Sequence, residues 1–178
     1  MNVPAARLAF SIPTTGEAEQ RQLFGEFRAA GFQGLQLKGG QYERYLMEPE
    51  QFKEEWLRDG AACSGLIWGG ALDPDGMAAL REVLSFAWAV GSERVIFCHN
   101  HPHHGVTPGN LQTYARLLSE LGQEAGQAGL KLSLHHHFNQ PVMLPEELRI
   151  FFEAARPGAV GLTLDTAHLA KSGVSDTA

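Results

Sequence analysis

The sequence predicts an α/β fold on a parallel sheet: a (β/α) barrel of the TIM type with about six of its eight βα units present in this chain. Three observations predict it. Six short apolar segments recur about one βα unit, or ~30 residues, apart. Helical patterns occupy the intervals between them, and a glycine closes five of these intervals just before the next apolar segment.

The first segment is RLAFSI, residues 7–12, followed by a helical pattern over 16–30 that places Leu23, Phe24 and Phe27 on one face. QGLQLK (33–38) and CSGLIW (63–68) are the second and third strands. A pattern over 77–90 then puts Leu80, Val83, Leu84 and Ala87 on one stripe, ahead of RVIFCH (94–99). Thr107-Pro108 reads as an N-cap with proline at the first helical position, leading into Leu111, Tyr114, Leu117, Leu118 and Leu121. LKLSLH (130–135) is the fifth strand, LPEELRIFFEAAR the next helix, and VGLTLD (160–165) the sixth strand. Glu146 and Glu147 fall in that helix's first turn, where carboxylates complement the helix dipole, so they read as structural.

The five joints are AAGFQG, RDGAAC, AVGSER, QAGLKL and RPGAVG. Glycine at such a point can take the left-handed conformation that ends a helix and turns the chain into a strand. An open doubly wound sheet is the competing architecture, but it commonly carries GxGxxG after its first strand, and this joint reads SIPTTGEAEQ. Eight barrel units need roughly 250 residues. With 178 residues, the chain is expected to form one domain over 1–178, a barrel lacking its last two units, either a fragment or a shortened relative.

Composition narrows the function classes. A hydrophobic fraction of 44% with 19% charged residues suits a packed globular core. The formal charge of −6 weighs against broad binding to nucleic acid or to an anionic membrane. The opening MNVPAARLAFSI has one Arg and a short apolar run, neither a signal peptide nor a spanning helix, which implies a cytoplasmic protein. Cys63 and Cys98 lack CxxC spacing and sit in apolar runs, as buried reduced thiols do. A metal site would have to be built from His and carboxylates.

All eight histidines fall between His99 and His168, most of them where strands end. His99, with His101, His103 and His104 after it, leaves the fourth strand; His135, His136 and His137 leave the fifth; Asp165 and His168 leave the sixth. Ligand sites of parallel α/β folds form at that edge. Strand alternation places Ser133, His135 and His137 on one face, with His136 on the other, packed under a helix or in solvent. Imidazole and carboxylate can hold Zn, Mn, Fe or Co between separate strands, with Asp165 as the anionic ligand. Asp165 also reads as the cap of a helix that starts at DTAH. His99 reads as a functional group, and His101, His103 and His104 as loop residues. Lys38 is a candidate for a substrate oxyanion or phosphate, or simply an exposed residue before a Gly-Gly turn. Trp68 is either an apolar wall for a sugar-sized ligand or a core plug.

GLTLDTAHLAKSG resembles the sixth-strand element, Asp-Thr-x-His before a helix, of the xylose isomerase-like TIM barrel superfamily. GFQGLQLKGGQY, ERVIFCHN and LKLSLHHHFN resemble that group's second, fourth and fifth strands. The group includes sugar phosphate isomerases and epimerases and the apurinic endonucleases. The resemblance implies that Asp165 and His135 bind a divalent metal ion, whether Mn, Co, Zn or Mg. It implies that His168 meets substrate or metal, that His135 and His168 serve catalysis, that His99 stands at an endonuclease-type ligand position, and that His137 follows the strand-five ligand. His99, His137, Lys38 and Trp68 are together the expected substrate contacts. Relatives place a Glu where His135 stands, and Gln36 replaces their second-strand Glu. The expected activity is metal-dependent isomerisation or epimerisation of a small sugar or sugar phosphate by proton transfer next to a carbonyl. The rivals are an apurinic endonuclease-like phosphodiesterase and a non-catalytic relative that self-associates as a homo-oligomer through open sheet edges.

Overall fold

The computed structural model describes residues 7–58 and 60–174. Six strands form one sheet in which every pairing is parallel and spatial order follows chain order: β1 (Ala9–Phe10), β2 (Gly34–Leu37), β3 (Cys63–Gly70), β4 (Arg94–His99), β5 (Lys131–His135) and β6 (Gly161–Thr163). The sheet curls into a half-barrel, the arc of a TIM barrel that six units supply.

The helices are α1 (Glu17–Glu26), α2 (Gly39–Tyr42), α3 (Pro49–Trp56), α4 (Pro74–Ala89), α5 (Pro108–Gln127), α6 (Pro145–Ala154) and α7 (Thr166–Lys171). The interval after β2 holds two helices and a 3-10 turn over Glu43–Tyr45, a subdivision the sequence pattern does not reveal. The first and last strands are shorter than their apolar segments, because each pairs on one side only among the described residues. The reading of MNVPAARLAFSI as lacking a leader rests largely on residues 1–6, outside the described residues. No helix among the described residues is long and apolar enough to cross a membrane.

Gly31, Gly60, Gly91, Gly129 and Gly158, one at each of the five joints, all have φ between 70° and 92°. Any side chain there would be strained, which is why the punctuation recurs. Thr107 caps α5 as its sequence predicts: its Oγ1 accepts from the Asn110 N–H at 3.3 Å, and Asn110 Oδ1 accepts from the Thr107 N–H at 3.0 Å.

Strand alternation sends Leu35, Leu37, Leu66, Val95, Phe97, Leu132 and Leu134 outward into the layer between sheet and helices, where the core lies. The opposite phase faces the barrel axis. Gln36, Ile67, Gly69, Cys98, His135 and Thr163 look that way, and the concavity they line is where the chemistry collects. Ser119, fully buried in α5, ties that helix to the chain just past α6: its Oγ donates to the Ala115 carbonyl and accepts from the Arg156 N–H at 3.0 Å.

Candidate metal centre at the C-terminal strand ends

The concavity has a volume of about 660 Å³ and opens at the C-terminal ends of the strands. Its β5–β6 wall carries His135, His137, Asp165 and His168, and its β2–β4 wall carries Gln36, Lys38, Ile67 and Cys98. His135, Asp165 and His168 each offer a ligand atom, and these atoms lie within 4.8 Å of one another. This is the one such group of three or more His, Cys, Asp or Glu among the described residues. The hollow at the other end of the strands, between Arg7 and Arg94, holds none.

Each member is positioned by local structure. His135 is the last residue of β5, pairs in register with Thr163, and is 9% exposed. Burial drives its imidazole down to about 4, against a partial upward pull from Asp165, so it is neutral at pH 7 and can offer a lone pair. Asp165 serves as the helix cap while keeping a carboxylate oxygen in the cluster. It caps α7, its Oδ1 accepting from the His168 N–H at 3.0 Å, while its Oδ2 lies 3.8 Å from His168 Nε2. Burial works to raise the Asp165 carboxyl, but that hydrogen bond and the neighbouring imidazoles outweigh it and hold it below the usual carboxylate range. His168 is itself lowered, because burial and the nearby His137 outweigh the attraction of Asp165. The His137 ring lies 3.9 Å from the His168 ring, and its Nδ1 is 2.8 Å from the Phe138 carbonyl, so Nδ1 carries the proton and Nε2 is free.

Two predicted contacts lie elsewhere. His99 is not a wall of the concavity: it is 1% exposed on the outward face of β4, packed on Phe97 and Tyr114. The physical reason is parity, since Cys98 takes the inward position at that strand end. Burial pushes the His99 imidazole down to about 3, and neither ring nitrogen has a partner among the described residues. Trp68 is likewise turned outward, against Phe97, because its neighbours Ile67 and Gly69 take the inward phase; half-buried, it packs against the core and does not line the concavity. Lys38 does line the concavity, opposite the histidines.

The loop histidines also differ. His103 is tied down, its Nε2 2.6 Å from Glu147 Oε1, and Glu147 Oε2 accepts the N–H groups of Met143 and Leu144 at the start of α6, a structural role as its position predicts. Sequence reasoning passed over Gln140, whose Oε1 accepts from the Cys98 thiol at 2.9 Å at the edge of the concavity. It sits in a loop whose Asn139 and Val142 both adopt positive φ, a conformation that no residue pattern announces for valine. His136 was expected to be packed or solvated; it is fully buried, and its Nε2 accepts from the Asp165 N–H at 2.9 Å.

No protein-family model matches the chain. An inosose dehydratase of Bacillus velezensis is 24% identical over an alignment 176 positions long that covers 88% of this chain and 57% of that protein. The chain thus spans just over half the length of the curated relatives it matches. Among solved structures, an L-ribulose 3-epimerase superposes with a TM-score of 0.76 at 16% identity, over 94% of this chain and 63% of that one. A zinc-bound IOLI protein gives 0.74 at 16%, covering 96% and 66%. A xylose isomerase domain protein from Alicyclobacillus acidocaldarius gives 0.69 at 18%, covering 95% and 66%. In fold, therefore, the chain is similar to these TIM-barrel structures, and its described residues supply six parallel strands of that architecture.

Proposed function

We propose that this chain supplies the metal-binding strand ends of a sugar isomerase- or epimerase-type site, one that moves a proton next to a carbonyl. The observation that carries the reading is the convergence of His135, at the end of β5, with Asp165 and His168, at the cap and in the body of the helix after β6, in one sugar-sized concavity. Two imidazoles and a carboxylate suit Zn, Co or Mn and are a poor match to Mg, which prefers an all-oxygen shell. When bound, such an ion supplies Lewis-acid stabilisation of the negative charge that develops on a carbonyl oxygen.

The chain's own residues then divide the work. His135 and His168 present neutral nitrogens, and Asp165 the anionic oxygen. His137, with its Nδ1 proton held by the Phe138 carbonyl, keeps Nε2 as a base toward the concavity. Lys38 on the facing wall holds a substrate oxygen, and Gln36 and Gln140 hold hydroxyl groups. The activities of two similar proteins, an epimerase and an inosose dehydratase, support the reading, because both reactions can begin by removing a proton next to a carbonyl. A small sugar, a polyol-derived ketone or a sugar phosphate fits this description. The endonuclease-like alternative loses the His99 ligand it would use, since that ring lies in the core.

The test is metal content of the purified protein, together with solvent deuterium wash-in at the carbon next to the carbonyl of a keto-sugar. Wild type is expected to hold stoichiometric zinc, cobalt or manganese, and Asp165→Ala to hold none. Metal uptake that survives Asp165→Ala sinks the ligand assignment, and a metal-loaded protein that exchanges no carbon-bound proton with any keto-sugar sinks the proton-transfer reading.

A further inference from the structure

Past His135 and Thr163, the last aligned pair of β5 and β6, the strands cease to pair. The chain after His135 turns away through His137 and Phe138, so the Asp165 N–H has no ladder carbonyl to meet. What it meets is the ring of His136, whose Nε2 accepts it at 2.9 Å. His136 is fully buried, on the face of β5 opposite the cluster. Its Nδ1 is buried too and has no partner among the described residues. An apolar side chain would leave no nitrogen stranded at this position, so a histidine here is explained by the one bond its other nitrogen makes.

That bond acts on a residue with two further constraints. The Asp165 carboxylate caps α7 through Oδ1, which leaves Oδ2 on the side of the His168 ring. Fixing the Asp165 amide from below and Oδ1 from ahead defines where Oδ2 points. We infer that His136 is a positioning residue: as a hydrogen-bond acceptor through Nε2, it holds the Asp165 backbone so that the carboxylate faces His135 and His168. The inference rests on the proposed metal site, and it assigns to the middle histidine of the triplet a role that neither its exposure nor its parity suggests. Outer groups that orient a metal ligand commonly affect metal binding although they never touch the ion.

Three variants test it, each read by zinc affinity and by hydrogen exchange of the Asp165 amide in the metal-free protein. His136→Leu removes the acceptor and is expected to weaken zinc binding by about ten- to a hundredfold while speeding exchange of that amide. His136→Gln, whose amide oxygen reaches about as far as Nε2, is expected to restore both. His136→Asn keeps polarity but falls short of Asp165, so it reads the bond even where the leucine variant does not fold, and is expected to behave as leucine does. Wild-type zinc affinity in a folded leucine or asparagine variant overturns the proposal, as does a glutamine variant that protects the amide yet binds as weakly as leucine. If wild type takes up no zinc, the proposed function fails. The amide measurement still judges the bond: equally fast exchange in wild type and the asparagine variant overturns it.

Discussion

His99→Leu should make this protein more stable, and increasingly so in acid. The wild-type ring is 1% exposed with both nitrogens unpartnered among the described residues. A stranded buried polar group costs about 1–3 kcal/mol, and leucine of similar volume removes it. Lost ring contacts with Phe97 and Tyr114, worth about 0.5–1.5 kcal/mol, offset part of that gain. The net expectation near neutral pH is stabilisation of about 1 kcal/mol. The pH term adds to it. Burial depresses the folded-state pKa of His99 to about 3 from an ordinary 6.5, so the unfolded chain binds the extra proton first as pH falls. Stability from this residue is therefore complete above 6.5 and is lost progressively toward 3, at about 1.4 kcal/mol per pH unit. By about pH 5 wild type forfeits about 2 kcal/mol that the leucine variant keeps. Urea unfolding near pH 7.5 and near pH 5 measures both terms, and His135, depressed to about 4 by burial, titrates equally in the two proteins and cancels. A variant less stable than wild type at neutral pH, or a gap that does not widen in acid, would show that the His99 nitrogens are paired and refute the reasoning.

Other perturbations have equally definite signs. Gly122→Ala should destabilise by about 1–3 kcal/mol although alanine favours helix by about 1 kcal/mol, because a Cβ in α5 overlaps the Ala159 carbonyl oxygen and lies 2.8 Å from its carbon; a thermal melt that rises contradicts the packing. Thr107→Ala removes the α5 cap and should cost about 1 kcal/mol in urea unfolding, with Thr107→Ser recovering most of it. Zinc at about a hundred times its dissociation constant should raise stability by about 2.7 kcal/mol. That gain should disappear in Asp165→Ala and on chelation, and an undiminished gain in that variant points to a different site.

Much of this fold was legible because its determinants are local. Glycine at the five joints takes positive φ for lack of a Cβ, and Thr107-Pro108 caps a helix through atoms three residues apart. That His135 and His137 share a face opposite His136 was legible too, since alternation along one strand needs no partner. The same alternation, applied to β3 and β4, was not read, and its phase there buries His99 and packs the half-buried Trp68 against the core. The ends of helices and strands, and the period along each, are therefore properties of the chain's own neighbours. Which phase faces the barrel axis is settled by pairing between strands, and only the pairing of β5 with β6 brings Asp165 against His136, 29 residues away along the chain. The sequence alone determined about six βα units on a parallel sheet, with the candidate polar groups gathered at one edge. The tertiary structure decided which of those groups meet, because side-chain contacts across strands depend on register and curl, and no residue specifies these by itself.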